Sequence, residues 1–221
     1  MSSTTEPTLS EQAYHQLRDM IVRLDLAPGD VLREDALREQ LGIGRTPIRE
    51  ALQRLARDHF VTVIPRRGMF VSGIDVSELS MLFETRTVLE PYAARLAAAR
   101  GTDDHWIRMQ AALDAVAAAD GNEDLMRIDR LGHEIMWEAA GNRFLVDTLD
   151  MLYAQSDRLW HLYLSDVADM SHAVDEHGEI MDALRSGDSE RAGDLMEEHI
   201  RSFDTQIRAA VTERLESPLA G

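Results

Sequence analysis

Residues 31–71 read VLREDALREQLGIGRTPIREALQRLARDHFVTVIPRRGMFV, and they predict two short helices followed by a hairpin. The first helix is expected over Glu34–Leu41, because Gly42 suits the left-handed turn that follows a helix end. The second is expected to start at Thr46-Pro47, since threonine caps unpaired amides and proline suits the first helical position. Two helices this close together form a helix-turn-helix.

A hairpin is predicted directly after the second helix. The β-rich runs Val61–Ile64 and Met69–Val71 flank the turn sequence Pro65-Arg66-Arg67-Gly68. This arrangement places two arginines at the tip of a wing beside the second helix.

The start of the second helix carries the prediction of nucleic-acid binding, through Arg45, Thr46 and Arg49. Helix-turn-helix proteins contact base edges with this part of the helix. Arginine is unfavourable there on its own because the helix dipole prefers anions, and an external phosphate removes the conflict. Helix-turn-helix spacing also occurs in proteins that bind no nucleic acid, so a winged helix used only for protein contacts is an alternative.

The strings RTPIREALQRL and RRGMFV resemble the winged helix-turn-helix domain of the GntR family of bacterial transcription regulators, over about residues 8–73. The resemblance implies a double-stranded DNA operator as partner. It assigns the major groove to Arg45, Thr46 and Arg49, a phosphate to Arg33, and the wing contacts to Arg67 and Gly68. Two positions depart from the family pattern: Gly44 stands where serine is usual, and Asp58-His59 stands where Glu-Gly is frequent.

Charge is distributed unevenly along the chain, whose formal net charge is −17. Residues 1–73 are neutral overall, with ten arginines and ten acidic residues, so the whole excess lies beyond them. The segment 31–73 contains eight arginines and five acidic residues. The arginine excess in residues 31–73 should attract phosphate to this segment, while the acidic remainder of the protein repels DNA from other surfaces.

Composition and hydropathy exclude several classes of protein. The absence of cysteine excludes disulfides and thiolate metal sites, and is typical of a reducing cytoplasm. The first residues show no basic segment followed by an apolar core, and no apolar run approaches membrane-spanning length. We therefore expect a cytoplasmic protein without a membrane partner.

Helical periodicity dominates outside the winged helix. Thr8 and Glu11 form a capping box that opens a helix to about Leu24. Beyond Gly73, glycines separate six predicted helices, near 76–100, 103–119, 122–140, 143–167, 171–186 and 188–215. The predicted fold class is mainly α: a winged helix-turn-helix with a small β-hairpin wing over 8–73, and an all-α antiparallel bundle over 75–215.

Four polar residues lie on apolar stripes of the predicted bundle: Asp129, His133, His177 and His199. Asp129 and His133 are four residues apart, so they share one helix face. Imidazoles and a carboxylate aimed at a core are unfavourable unless they are paired or coordinated, and this set suits zinc, nickel, iron or manganese. Hydrogen-bonded core histidines are the alternative, and spacing alone leaves both open.

The segments IDRLGHEIMWEAAGN, DEHGEIMDALRSGDSERA and MEEHI are similar to the FCD effector domain of the FadR-type GntR subgroup, over about residues 75–210. By position, the resemblance implies that Asp129, His133, His177 and His199 hold a divalent metal ion. Zinc is the expected metal, with nickel, manganese and iron as alternatives. The resemblance also implies a small organic acid as effector, and a homodimer.

Arg86 falls on the stripe of Leu82, Leu89 and Ala93, which points it toward the interior. It also matches an arginine common in FCD domains. We interpret Arg86 as a clamp for an effector carboxylate, because its fork geometry suits two oxygens. The alternative is a buried ion pair with Glu84, Glu90 or another acid.

The sequence therefore predicts a ligand-responsive transcription regulator, a repressor, and not an enzyme. The effector is expected to act through dimer geometry or the linker near Ser72–Asp75. The rival is a metal-dependent enzyme domain fused to a winged helix, since three histidines and an aspartate with an open position could activate water. Against this rival, no general base is recognisable, and four protein ligands resemble a sensor or structural site more than a catalytic one.

Overall fold

The structure is a computed structural model that describes residues 7–73, 76–163 and 171–216, without the side chains of 76–77, 171–175 and 214–216. Two compact units divide between Asp75 and Val76, and we call them the N-terminal unit and the helical unit. Part of the predicted linker, residues 74–75, lies outside the described residues. The predicted end of the fourth helix of the bundle, residues 164–167, lies outside them as well.

The N-terminal unit is a winged helix-turn-helix, as predicted. Its elements are α1 (Leu9–Val22), β1 (Val31–Leu32), α2 (Glu34–Leu41), α3 (Arg45–Arg57), β2 (Val61–Ile64) and β3 (Gly68–Val71). The α2 helix has the predicted bounds, and Gly42 follows it in the left-handed conformation with φ 66°.

The predicted capping box opens α1. The Thr8 hydroxyl accepts a hydrogen bond from the Glu11 amide at 3.2 Å, and the Glu11 carboxylate accepts from the Thr8 amide at 2.7 Å. The helix ends two residues before the predicted Leu24, which has φ 64° and cannot continue a right-handed helix.

The predicted cap of α3 is wrong. Gly44 is the N-cap, without a side-chain hydrogen bond, and Thr46 and Pro47 are the second and third residues of the helix. Proline is tolerated there because first-turn amides have no partner within the helix. The helix therefore starts two residues earlier than predicted and brings Arg45 into its first turn.

Burial on α3 separates an apolar face from a basic one. The apolar face packs on α1 and is formed by Ile48, Ala51, Leu52 and Leu55, none of which is exposed. Arg45, Thr46 and Arg49 are exposed on the other side. The core of the N-terminal unit thus fixes which face of α3 is available to a partner.

The wing is part of a three-stranded antiparallel sheet of order β1–β3–β2. The strand β1 was not predicted, because two residues carry no periodicity of their own; Val31 pairs with Phe70 and Leu32 with Met69. The hairpin has the predicted position. Arg66 at its tip adopts φ 66° and Gly68 φ 115°.

The helical unit is all-α, as predicted. Its elements are α4 (Val76–Arg100), α5 (Asp103–Asp114), α6 (Asn122–Ala140), α7 (Arg143–Tyr163), α8 (Ser171–Ser186) and α9 (Ser189–Glu216). The α4 helix packs against α6, α7, α8 and α9, so it lies at the centre of the unit. The polar side chains on its inward face, Arg86 and Glu90, are buried among these neighbouring helices.

Helix ends in this unit follow the sequence closely, with one difference. The Asn142 and Asp188 side chains accept hydrogen bonds from the amides of Phe144 and Arg191, both at 3.2 Å. The helix predicted to reach residue 119 ends at Asp114 and continues as a 3₁₀ turn over Ala115–Ala118, as is frequent at helix C-termini. No helix in the described ranges is long and apolar enough to span a membrane.

Candidate nucleic-acid interface and metal centre

The residues predicted to contact DNA lie at three places on the N-terminal unit. They are exposed at the start of α2, in the first turns of α3 and at the hairpin tip: Arg33; Arg45, Thr46 and Arg49; Arg67 and Gly68. Exposure and the first-turn amides of α3 make this surface able to meet a phosphate backbone.

Two of these arginines are paired with carboxylates on α2. The Nε and Nη2 atoms of Arg49 donate to the two oxygens of Glu34, both at 2.9 Å. Arg45 Nη2 lies 3.3 Å from Asp35 Oδ1, and Arg45 Nε lies 3.5 Å from Glu34 Oε2. The hydrogen bond from Arg49 lowers the pKa of Glu34, so this acid is ionised at neutral pH. The forked contact to Arg49 holds its guanidinium in one orientation.

One departure from the family pattern has a visible backbone consequence. His59, at a position where glycine is frequent in the family, adopts φ 65° after α3 ends. A left-handed conformation is less favourable for histidine than for glycine. The Phe60 amide nevertheless donates to the Leu55 carbonyl at 2.9 Å, so the turn closes onto the helix end.

The helical unit brings together the four residues predicted to bind metal. Asp129 and His133 lie one turn apart on α6, His177 on α8 and His199 on α9. One potential ligand atom from each lies within 4.8 Å of every other. None of the four residues is more than 8% exposed. Among the described residues this is the one such cluster of histidines and acids.

The Nε2 atoms of the three imidazoles point toward a common centre. His177 Nε2 lies 3.1 Å from Asp129 Oδ1, and the Nε2 atoms of His133 and His199 are 3.3 Å apart. The last two atoms each lie 3.8 Å from an oxygen of Asp129. Three nitrogens and a carboxylate around one point form a donor set of the kind that divalent metals prefer.

Outer contacts orient this set. Glu90 Oε2 lies 2.9 Å from His133 Nδ1, and Glu176 Oε2 lies 2.7 Å from His199 Nδ1. The Tyr153 hydroxyl donates to Asp129 Oδ2 at 2.6 Å. A carboxylate beside Nδ1 favours the proton on that atom and leaves the Nε2 lone pair toward the centre.

A glycine makes room for one of the rings. A Cβ atom on Gly132 of α6 would lie 3.4 Å from His177 Nδ1, tighter than most contacts of such an atom. Gly132 thus lets the His177 ring approach α6 closely between Asp129 and His133.

The protonation states also suit a metal. Burial lowers the pKa of His177 to about 3, so its imidazole is neutral at pH 7. Burial raises the pKa of Asp129, but the three imidazoles and the Tyr153 hydroxyl together lower it to about 2. A neutral imidazole and an ionised carboxylate are the forms that bind divalent ions. The residues therefore fit a divalent metal by position, orientation and charge.

Arg86 of α4 is buried beside this cluster and is paired with Glu90. Arg86 Nε donates to Glu90 Oε1 at 2.5 Å, and the two residues are 2% and 0% exposed. One of the alternatives considered for Arg86, an ion pair with Glu90, is thus present. Arg86 also lines a cavity of about 10 Å³ together with Asp129, His133, Tyr153 and His199.

Two family models match the chain. The FCD domain matches residues 81–202, and the family described as "Bacterial regulatory proteins, gntR family" matches residues 9–71. The chain belongs to the GntR family. Its helical unit contains the FCD domain, and its N-terminal unit contains the family's DNA-binding domain.

Individual relatives agree with this assignment to the GntR family. A Streptomyces ambofaciens protein described as an HTH-type transcriptional regulator in an unstable DNA locus is 30% identical over 95% of this chain and 90% of its own length. The HTH-type transcriptional repressor RspR of Escherichia coli strain K12 is 26% identical, over 92% of this chain and 90% of its own. The solved structure of E. coli McbR/YncC, 22% identical, covers 92% of this chain and 98% of its own with a TM-score of 0.80, which shows the fold alone.

This GntR protein is a DNA-binding transcription regulator. Its two families and the relatives named above are regulators and not enzymes, as the sequence predicted. The rival prediction of a metal-dependent enzyme fused to a winged helix finds no support among them.

Three residues of the candidate metal centre in this GntR protein are not predicted by its sequence: Glu90, Glu176 and Tyr153. The sequence suggests Glu90 only as a partner of Arg86, since the spacing of four gives no sign of its second neighbour, His133. Glu176 directly precedes His177, and the presence of an acid next to a candidate ligand is the one signal for it. The sequence gives no signal for Tyr153, because an aromatic residue on an apolar stripe is typical of a hydrophobic core.

Proposed function

We propose that this regulator is a repressor whose helical unit binds a divalent metal and a small organic acid, and that this binding controls its affinity for operator DNA. The observation that carries the proposal is the buried convergence of three imidazole Nε2 atoms and Asp129 beside Arg86. Relatives named as repressors support the sign of regulation.

On the DNA side, Arg45, Thr46 and Arg49 contact the major groove, Arg33 contacts phosphate, and Arg67 and Gly68 contact DNA from the wing. In the free protein Arg45 and Arg49 are held by Glu34 and Asp35. DNA binding therefore exchanges these exposed ion pairs for contacts to bases and phosphates. Such an exchange is inexpensive because exposed ion pairs contribute only about 0–1 kcal/mol.

Substitutions in α3 and before α2 should have different effects on DNA binding. Against a duplex selected from a random library by the wild type, Arg49→Ala should weaken binding by about 1–3 kcal/mol and relax base choice at one position. Arg33→Ala should weaken all duplexes alike and lower the salt slope by about 1. Fluorescence anisotropy at several salt concentrations measures both.

Arg57→Ala is the matched control, since it removes the same charge from the exposed last turn of α3. It should leave base preference unchanged. If Arg49→Ala binds the selected duplex as tightly as the control does, α3 does not read the operator in the manner proposed.

On the effector side, Asp129, His133, His177 and His199 would hold the metal, with zinc favoured and nickel, manganese or iron as alternatives. A divalent ion there would supply positive charge to an anionic ligand. Glu90 and Glu176 keep His133 and His199 oriented, and Tyr153 keeps Asp129 oriented.

Arg86 is placed to hold an effector carboxylate. Glu90 engages its Nε atom, which leaves the terminal nitrogens for a ligand in the cavity that Arg86 lines. That cavity has room for about one water molecule, so an organic acid requires neighbouring side chains to move. Binding of the organic acid should require both Arg86 and the metal, because a buried anion needs its negative charge neutralised.

Calorimetry tests the effector proposal. A panel of hydroxy acids, dicarboxylates and sugar acids is titrated into metal-loaded wild type, Arg86→Ala and metal-stripped protein. Binding is expected only in the first, and the ligand should change operator affinity by the same factor by which operator changes ligand affinity. Equal binding by all three would contradict a shared site, and binding without a change in DNA affinity would contradict the switch.

The regulator is proposed to act as a homodimer in the cytoplasm, where its DNA lies. Two copies of α3 related by a two-fold axis would match an operator whose two half-sites are one turn of the DNA helix, or a multiple of it, apart. The effector would act through the geometry of that dimer or through the linker near Ser72–Asp75.

A further inference from the structure

We infer that Glu90 couples the metal centre to Arg86, so that a metal ion and an anion on Arg86 favour each other's binding; the inference rests on the proposed function. A single carboxylate makes both contacts. Its Oε1 atom accepts from Arg86 Nε at 2.5 Å, and its Oε2 atom lies 2.9 Å from His133 Nδ1. The metal ligand and the anion clamp thus share one negative charge.

Burial gives this shared charge its effect. Glu90 is 0% exposed, Arg86 2% and His133 1%, so water does not screen the contacts among them. Electrostatic interactions are much stronger in such an interior than at the surface. A change in the charge at Arg86 therefore alters the interaction between Glu90 and His133.

The direction of the coupling follows from the charges. Without an anion, the Arg86 guanidinium draws the negative charge of Glu90 toward Oε1. An anion on the terminal nitrogens of Arg86 neutralises that guanidinium and leaves more of the Glu90 charge to His133. A more negative neighbour at Nδ1 makes the Nε2 atom of His133 a stronger donor to a metal. Anion and metal therefore bind with positive cooperativity.

Glu176 provides a matched comparison. Its Oε2 atom is hydrogen-bonded to the Nδ1 atom of another metal ligand, His199, at 2.7 Å, whereas Glu90 and His133 are close in distance without hydrogen-bond geometry. Within the described part of the chain, Arg86 contacts Glu90 and the rings of Phe83 and Tyr153, and not Glu176. Removing the Glu176 charge therefore affects the metal centre without touching Arg86.

The experiment is a double-mutant cycle with Co²⁺ as the probe, read by its visible absorption. Glu90→Gln and Glu176→Gln should each lower Co²⁺ affinity by about 10–100-fold. Arg86→Gln should raise Co²⁺ affinity by about threefold or more in the wild-type background and in Glu176→Gln. In Glu90→Gln the increase should be smaller, because only the direct repulsion between Arg86 and the ion remains to be removed. The same effect of Arg86→Gln in all three backgrounds would overturn the coupling.

A measurement on the unmodified protein covers the case in which a buried variant does not fold. Adding Zn²⁺ to ¹⁵N-labelled wild type should shift the Nε–H resonance of Arg86, which the Arg86→Lys variant identifies by its disappearance. An unshifted Arg86 resonance on Zn²⁺ saturation would overturn the inference while leaving the metal site intact. A wild type that binds neither Co²⁺ nor Zn²⁺ would overturn the proposed function as well.

Discussion

His177→Ala is expected to abolish stoichiometric metal binding and to remove the stabilisation that metal gives the wild type. The His177 ring supplies one of four donors, 3.1 Å from Asp129, on a helix that contributes no other ligand to the cluster. Metal at 1,000 times its dissociation constant stabilises the folded state by about 4 kcal/mol. At about 2–4 °C per kcal/mol for a protein of this size, metal should raise the wild-type melting temperature by about 8–16 °C.

Elemental analysis and thermal melts with and without Zn²⁺ measure this effect. His15→Ala is the control, because His15 is an exposed histidine of the N-terminal unit, outside the cluster. The control should bind metal and gain stability as the wild type does. Equal metal content in His177→Ala and wild type would show that the four residues form a hydrogen-bonded core and not a metal centre.

Much of the fold could be predicted because local signals agree with tertiary packing. Gly42 stops α2, Thr8 and Glu11 open α1, and apolar residues recur at helical spacing on the buried face of α3. Each of these signals lies within a few residues of its effect. Where local and global preferences agree, sequence alone is a good guide.

The errors arose where a signal was weak or had two interpretations. The pair Thr46-Pro47 suits either the cap and first residue of a helix or its second and third residues. In the structure these two residues are the second and third residues of α3. The strand β1 exists only because β3 pairs with it, so its cause lies far away in the chain. The 3₁₀ turn at Ala115–Ala118 follows an alanine-rich stretch that gives no stop signal.

In the candidate metal centre as well, some residues could be predicted from the sequence and others could not. Asp129 and His133 could be grouped by their spacing on one helix, and His177 and His199 joined them through the family resemblance. Glu90 and Tyr153 lie on α4 and α7, and only the packing of these helices against α6 brings them to the ligands. Contacts between distant helices are set by three-dimensional packing, which periodicity does not encode.

The metal-free protein should begin to lose folding stability at an unusually high pH as the solution is acidified. The pKa of His177 is 6.5 unperturbed and about 3 in the fold, because burial disfavours its charged form. Protons therefore bind the unfolded chain first, and stability falls as the pH drops from about 6.5 toward 3. Asp129 and Glu90 have folded pKa values of about 2, so they add a further loss below about pH 4.5. Together the loss is on the order of several kcal/mol.

Urea unfolding between pH 7.5 and 4 of protein treated with chelator measures this loss. His177→Gln removes the imidazole while keeping a polar side chain, so its stability should change much less between pH 6.5 and 4.5. Parallel loss of stability in the two proteins over that window would show that His177 is not held neutral by the fold. Saturating metal should delay the wild-type loss, because metal competes with protons for the same atoms.

The most direct measurement of the central claim is anomalous X-ray diffraction from crystals of protein purified without added metal. Data collected on either side of the absorption edges of zinc, nickel, iron and manganese identify the element at each peak. The account predicts a peak between the Nε2 atoms of His133, His177 and His199 and the carboxylate of Asp129, at about 2.0–2.2 Å from each if the metal is zinc. A map without a peak there, both before and after the crystals are soaked in metal, with His177 Nε2 still 3.1 Å from Asp129 Oδ1, would contradict it.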